Sequence, residues 1–382
     1  MARFIIDRIT SLTELQSLEV EWRDLERQLP RLPFFTFDWI STWWQHLHAA
    51  RMGIRDRICA SAFRSADGRL EGIAPMMLTE RPGFGPLRLR QRQFFGADPN
   101  ITEIRGVVTS SDSYGEILNE LVDNLRSSQA TWDFVHLTGV PREFLRNINL
   151  SGFGSASWVR ELPNYYLTLL PDWNNFKRQL SRNIKESLRK CYNAPKRDGL
   201  ILELEIVSEP HKVRAAVDEF LRLHYARAIR EDTVSHPNVF STELSRAFLF
   251  DICERFARRD SLRIFQLKLR NEVVATRIGF ACQDALYLYF SGYEPALAKY
   301  SVMTRVIAEA IQSAIREGFR TVNLSTGNDL SKLRWSPQET IYDEALLISR
   351  SRRSAIAYNA YQLAYRGLRK SLSTYPFSLT CR

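Results

Sequence analysis

Apolar residues recur along this chain with two periods, and the periods sort it into helices and strands. Ser11-Leu12-Thr13-Glu14 has the form of a capping box, in which a hydroxyl and a carboxylate satisfy the first free amides of a helix. Leu15, Leu18, Trp22 and Leu25 then share one face, which predicts a helix to about Leu29, stopped by Pro30 and Pro33. A second helix is predicted from Asp38, stacking Trp39, Trp43 and Leu47. Strand-like runs cover 57–63 and 70–78, joined by Ala66-Asp67-Gly68. Pro82, Gly83, Gly85 and Pro86 read as a loop before an extended piece at 87–95. A helix at 114–125 leads to a strand at 133–137.

The second half repeats the plan at larger scale. A strand is predicted at 164–170, a basic helix at 174–194 and an alternating strand at 200–207. Helices follow at 210–230 and 241–258. Next comes a meander at 262–269, 273–282 and 285–293, with turns at Arg270-Asn271-Glu272 and Gln283-Asp284. A long helix at 301–317 aligns Val302, Val306, Ala310 and Ala314, and Gly318 stops it. Strands at 320–324 and 342–348 complete the pattern. The alternation predicts an α+β fold with mixed sheets. The Gly/Ser-rich stretch 151–157 divides it into lobes at 1–157 and 158–348, followed by a basic amphipathic helical tail at 349–382.

Charge separates the lobes further. Residues 1–160 hold 19 arginines, no lysine and 19 acids, so the net charge of +10 belongs entirely to the rest. The segment 177–197 has eight bases against one acid, Glu186, and 345–382 has seven bases and no acid. A basic second half suits an anionic partner: a phosphate-bearing cofactor, an acidic sugar polymer, RNA or a membrane surface. The competing reading is a set of solvated helix faces. In the tail, Tyr358, Tyr361, Tyr365, Leu368 and Leu372 form one stripe beside Arg366, Arg369 and Lys370. Such a helix can lie peripherally on an anionic membrane or pack on its own domain.

Composition narrows the class. Of 382 residues, 45% are hydrophobic and 25% charged, the mix of a chain that buries a full core. No apolar run is long enough to span a bilayer. The opening MARFIIDRIT, with Asp7 and no small-residue cleavage site, does not read as a signal peptide. Cys59, Cys191, Cys253, Cys282 and Cys381 are odd in number and far apart, which fits a reduced, cytoplasmic protein with no metal site. Walker, HExxH and GxSxG motifs are absent. His46 and His48 point to different helix faces, and Gly152-Phe153-Gly154 reads as a linker.

Several short motifs fall in a recognisable order: Phe290-Ser291-Gly292-Tyr293-Glu294-Pro295, Lys299-Tyr300-Ser301, Gly318-Phe319-Arg320, Asn323-Leu324-Ser325-Thr326-Gly327 and Lys332-Leu333-Arg334-Trp335. In the first lobe Trp22, Pro33-Phe34-Phe35, Trp39, Trp43-Trp44 and Gly72-Ile73-Ala74-Pro75 fit the same pattern. The chain resembles the CelD-type acetyltransferases of cellulose and exopolysaccharide biosynthesis, a branch of the GNAT superfamily related in architecture to the Fem aminoacyltransferases. The resemblance implies two tandem GNAT-like lobes and transfer of an acyl group from acetyl-CoA or a longer acyl-CoA to an amine or hydroxyl of a small-molecule or saccharide acceptor. It departs from that family's Tyr-Ser-Pro-Gly at Tyr300-Ser301-Val302-Met303, and from its acidic strand residue at Asn323.

Acyl transfer needs a base, donors for the oxyanion and an acid for the thiolate. On the resemblance, His224, Tyr293 and Asn323 are the catalytic candidates, against structural readings as a buried histidine, a strand-end aromatic and a strand-end hydrogen bond. Tyr300, Ser301, Thr304 and Arg305 are the cofactor contacts, because helix-start amides and the helix dipole favour a pyrophosphate. Lys332, Arg334 and Trp335 are candidates for substrate binding. A Fem-like donor, aminoacyl-tRNA, is the rival to acyl-CoA, and a scaffold that has lost its chemistry is the non-enzymatic alternative.

Overall fold

The computed structural model describes residues 4–83, 88–98, 100–229 and 237–372. The first half contributes β1 (Ile5–Ile9), β2 (Ala50–Arg51), β3 (Ile54–Ile58), β4 (Ala60–Arg64), β5 (Leu70–Ala74) and β6 (Met76–Pro82). It also supplies β7 (Arg88–Phe94), β8 (Val108–Thr109), β9 (Phe134–Pro141), and helices α1 (Leu12–Ser17), α2 (Glu19–Leu25), α3 (Phe37–Leu47) and α4 (Ser111–Ser127). The second half holds β10 (Ser155–Thr168), β11 (Leu202–Val207), β12 (Leu262–Leu269), β13 (Glu272–Cys282), β14 (Ala285–Tyr293), β15 (Thr321–Thr326) and β16 (Gln338–Ile348). Its helices are α5 (Trp173–Gln179), α6 (Arg182–Arg197), α7 (Pro210–Ala228), α8 (Glu243–Arg258), α9 (Val302–Arg316), α10 (Leu330–Leu333) and α11 (Arg352–Leu372).

Where the apolar runs were read as single elements, local chemistry divides four of them. The 57–63 run breaks at Cys59, so that β3 pairs with β6 in one sheet and β4 with β1 and β5 in another. The 70–78 run breaks at Pro75, whose missing N–H cannot join a ladder. The first helix breaks at Leu18, although its capping box forms as expected: Ser11 Oγ accepts from Glu14 N, and the Glu14 carboxylate accepts from Ser11 N. The basic helix divides at Leu180, and Ser181 caps the start of α6. Part of the loop at 82–87, residues 84–87, lies outside the described residues.

Among the described residues, twelve strands form one mixed sheet in the order β11-β12-β13-β14-β15-β10-β16-β9-β7-β6-β3-β2, and β1, β4, β5 and β8 form a smaller one. The seam between halves is β10 and β16. β10 begins inside the 151–157 stretch and pairs with both β15 and β16, while β16 pairs with β9 of the first half. Each half carries the same device. In the first, β6 and β7 run antiparallel, then β7 and β9 run parallel with α4 crossing between them. In the second, β13, β14 and β15 repeat this around α9. Both parallel contacts are short. One runs from Gln91 opposite Phe134 to Gln93 opposite His136, the other from Ala285 opposite Thr321 to Tyr287 opposite Asn323. Past these positions the strands diverge, and each half contains a wedge.

The core crosses from one half to the other. The Trp39 ring of α3 lies 5.2 Å from Phe248, 5.8 Å from Phe280 and 5.6 Å from Tyr289, all edge-on. In α11, Tyr358 and Tyr361 pack against Phe134 at 5.1 and 6.2 Å, and Ser354 Oγ donates to the buried Asp133. The side chains of Tyr365, Leu368 and Leu372 lie outside the described residues. Among the described residues no helix is long and apolar enough to cross a membrane.

Candidate active site

The wedge between β14 and β15 opens into a cavity of about 750 Å³ that extends to the first half of the chain. Its mouth is the start of α9. Ser301 sits in the left-handed region at φ 54° and ψ 42°, its N–H held by the Ala298 carbonyl at 2.9 Å. The Ser301 carbonyl accepts from Thr304 N and Arg305 N, which leaves the Val302 and Met303 amides in the first turn without a helical acceptor. Those amides and the helix dipole make an anion-binding position. Ser301, Met303 and Thr304 line the cavity, and Arg334 Nη2 donates to Thr304 Oγ1 at 2.8 Å, tying α10 to the helix start.

Two charged groups meet at the end of β15. The Glu103 carboxylate, from the first half, accepts through Oε2 from Tyr287 OH at 2.6 Å, Thr326 N at 3.1 Å and Thr326 Oγ1 at 3.2 Å. The Lys332 ammonium donates to the carbonyl of the same Thr326. Burial pushes the Lys332 pKa down to about 8; Arg277 and Arg227 push the same way, while Glu103 and Asp329 oppose them. Glu103 is held in place by a pinned segment. Asp98 accepts from Trp43 Nε1 and from the amides of Ile101 and Thr102, and Tyr289 OH donates to the Ile101 carbonyl at 2.5 Å. The path of this segment requires Gly139, at φ +67°, where an added Cβ would lie 1.9 Å from the Arg105 carbonyl oxygen.

Of the sequence candidates, the cavity gathers Tyr293, Ser301, Thr304, Lys332, Arg334 and Trp335. Trp335 is buried and serves as wall. The other four face elsewhere. His224 is buried behind the β14 wall, its Nδ1 on the Ser291 carbonyl at 3.2 Å and its ring among Phe220, Phe240 and Phe290. Burial pushes its pKa down, against the raising effect of the Ser291 carbonyl. Gly292 explains the closeness of α7, since a Cβ there would lie 2.5 Å from the His224 amide nitrogen. Tyr300 donates to Asp198 at 2.9 Å. Arg305 donates to the Leu202 carbonyl at 2.8 Å and lies beside Glu309 and the Tyr192 ring, so neither Tyr300 nor Arg305 faces the cavity. Asn323 Oδ1 accepts from Ser325 N at 2.8 Å, which closes it onto its own backbone. None of these four lines the cavity, and each has its contacts within the protein itself.

Residues 178–334 match the family described as acetyltransferase (GNAT) domain. The matched segment is similar to a GNAT acetyltransferase domain, which supports an acyltransferase. Three solved structures are similar to nearly the whole chain. FemX is 11% identical with a TM-score of 0.55, over 89% of this chain and 96% of its own. A conserved protein of unknown function from Bacteroides thetaiotaomicron is 12% identical with a TM-score of 0.51, over 91% and 100%. The C-terminal domain of a protein described as a lysylphosphatidylglycerol synthetase, from Agrobacterium fabrum, is 12% identical with a TM-score of 0.50, over 92% and 97%. At these identities the likeness is one of fold. No curated protein matches the chain.

The matched segment contains the wedge, α9 and Lys332, but not Glu103 or Arg105, which reach the same cavity from the first half. Sequence reasoning missed both. Neither belongs to a motif, and in a first half of zero net charge no cluster sets them apart.

Proposed function

We propose that the chain moves an acyl group from acetyl-CoA or a longer acyl-CoA to an amine or hydroxyl of a small or saccharide acceptor, in the cytoplasm and in polysaccharide assembly. The division into lobes 1–157 and 158–348 with a tail at 349–382 belongs to the same reading. The observation that carries it is the β14–β15 wedge with the Val302 and Met303 amides at its mouth, in a segment matching an acetyltransferase domain. The amides, with Thr304 and Arg334 beside them, suit the donor's phosphates. The thioester would then run down the wedge toward Thr326, between Glu103 and Lys332.

The acceptor's nitrogen or oxygen bonds to the thioester carbonyl carbon, and the carbon–sulfur bond breaks. The acceptor's proton goes to Glu103, and the departing thiolate takes a proton from Lys332. We assign Lys332 rather than Tyr293 as the acid because its pKa of about 8 is close to that of a thiol, about 8.5. Tyr293 carries the Arg227 guanidinium 5.7 Å over its ring and closes the wall. Isothermal titration with acetyl-CoA and longer acyl-CoAs tests the donor, and silence toward all of them ends this reading. Changing Glu103 to Gln is expected to lower kcat about a hundredfold while acyl-CoA affinity holds.

A second reading rests on one observation, the exposed basic face of α6. Arg189, Lys190 and Lys196 are exposed there, and none makes an ion pair among the described residues. An aminoacyl-tRNA donor would use such a face, and its binding to tRNA would fall steeply with salt. Indifference to RNA dismisses it.

A further inference from the structure

The cavity does not end at the acyl-transfer wedge. Its far side, at the seam of the two halves, is lined by Arg105, Arg160 and Glu344 around Leu162 and Gly139. Glu344 is only 6% exposed, yet its carboxylate takes no hydrogen bond and closes no ion pair among the described residues. Neither do the Arg105 and Arg160 guanidinium groups, although Arg160 on β10 stands directly opposite Glu344 on β16. Buried charges ordinarily pair or collect several hydrogen bonds, because leaving water without compensation costs several kcal/mol, roughly. Here the buried Glu344, the half-buried Arg105 and the exposed Arg160 line one wall of a cavity, and no two of them close an ion pair.

The backbone under them is held firmly. The Arg105 carbonyl accepts from Thr138 Oγ1 at 3.1 Å and packs on Gly139, and the same segment is pinned by Asp98, Trp39 and Trp43. That pinning fixes the place from which the Arg105 side chain enters the cavity. Burial pushes the Arg105 pKa down while Glu344 and Asp98 oppose it. His136, at the end of the β7–β9 contact, faces the same three groups, and burial pushes its pKa down. This wedge is the counterpart of the β14–β15 wedge, but the chain near residues 101–106 runs against it, leaving a polar recess.

We infer that this recess is the acceptor subsite, and that the acceptor is a small anionic molecule whose carboxylate or phosphate is gripped by Arg105 and Arg160, with a hydroxyl or ammonium group donating to Glu344. The inference rests on the donor reading above, since it places the acceptor across the cavity from the α9 helix start with Glu103 between them. Two guanidinium groups suit a planar carboxylate or a phosphate through paired N–H donors. The carboxylate of Glu344 selects against ligands that carry only negative charge.

Calorimetric titration of the full chain with glucosamine 6-phosphate, glucuronate and glucosamine reads this directly. One of the two anionic probes is expected to bind, with glucosamine at least about tenfold weaker; which anion binds distinguishes phosphate from carboxylate. Arg105→Gln and Arg160→Gln should each weaken the anionic probe by about tenfold. Glu344→Gln should weaken the ammonium-bearing probe while tightening or sparing glucuronate. Arg160 is exposed, so its variant folds even if Arg105→Gln does not. Equal binding of all three probes, no binding of any, or anion binding untouched by Arg160→Gln would overturn the subsite. Acyl-CoA is titrated into the same samples: if it binds while the anions do not, the subsite alone falls. If acyl-CoA fails as well, the donor reading falls with it.

Discussion

At Lys332, stability and chemistry pull in opposite directions. Its pKa in the folded chain lies below the ordinary 10.5, at about 8. Between those two values the unfolded chain binds more protons than the folded one, so stability rises with pH across that window and the burial penalty is fully present below about 8. Lys332→Met is therefore expected to be more stable than the wild type at pH 7, by about 1–2 kcal/mol after the lost bond to Thr326 is discounted. The advantage should vanish near pH 10.5, and turnover should fall throughout. Thermal unfolding at several pH values together with an acyl-transfer assay checks both. The lysine was legible because it follows a glycine turn in a family-like motif, whereas Glu103, within hydrogen-bond reach of the same Thr326, was not. No local pattern marks a carboxylate that becomes functional only when a distant strand end arrives beside it.

Among the elements, the start of α9 shows what a motif does and does not convey. The resemblance pointed to the turn at Tyr300-Ser301, and the turn is there, but the side chains divide between two faces. Ser301, Met303 and Thr304 line the cavity, while Tyr300 and Arg305 reach back to Asp198 and Leu202. Ser301 carries a left-handed backbone that glycine adopts without steric cost. Ser301→Gly is expected to stabilise the chain by about 1 kcal/mol, read as a raised denaturant midpoint at unchanged slope. The strand runs 57–63 and 70–78 teach the same lesson. Alternating apolar residues announced strands, but not that each run splits between two sheets, because the period along a strand is the same whichever partner it joins.

At the scale of the molecule, the two halves fold around shared contacts. One sheet crosses both through β16 and β9, and Trp39 packs on three rings of the second half. Trp39→Ala removes a fully buried ring and the N–H that donates to Thr102. It should cost about 3–5 kcal/mol and lower the unfolding midpoint of both halves together, in one transition seen alike by circular dichroism and tryptophan fluorescence. Two separate transitions would show that the halves are energetically independent. The candidate acceptor recess depends on the same pinning, since Trp39 and Trp43 hold the segment that carries Arg105.

By itself the sequence determined the class of the fold, most of its helices and strands, the buried tryptophan stripe and the helix start at which an anion can bind. Those features follow from spacing, capping chemistry and propensity, which act over a few residues. Tertiary structure alone decided which charged side chains share a cavity. It left His224 and Asn323 outside the cavity lining and brought Glu103, Arg105 and Glu344 to one cavity from segments far apart in the chain. The reason is physical: a side chain's solvation, pairing and pKa are set by neighbours that the fold supplies, and periodicity along one strand carries no record of them.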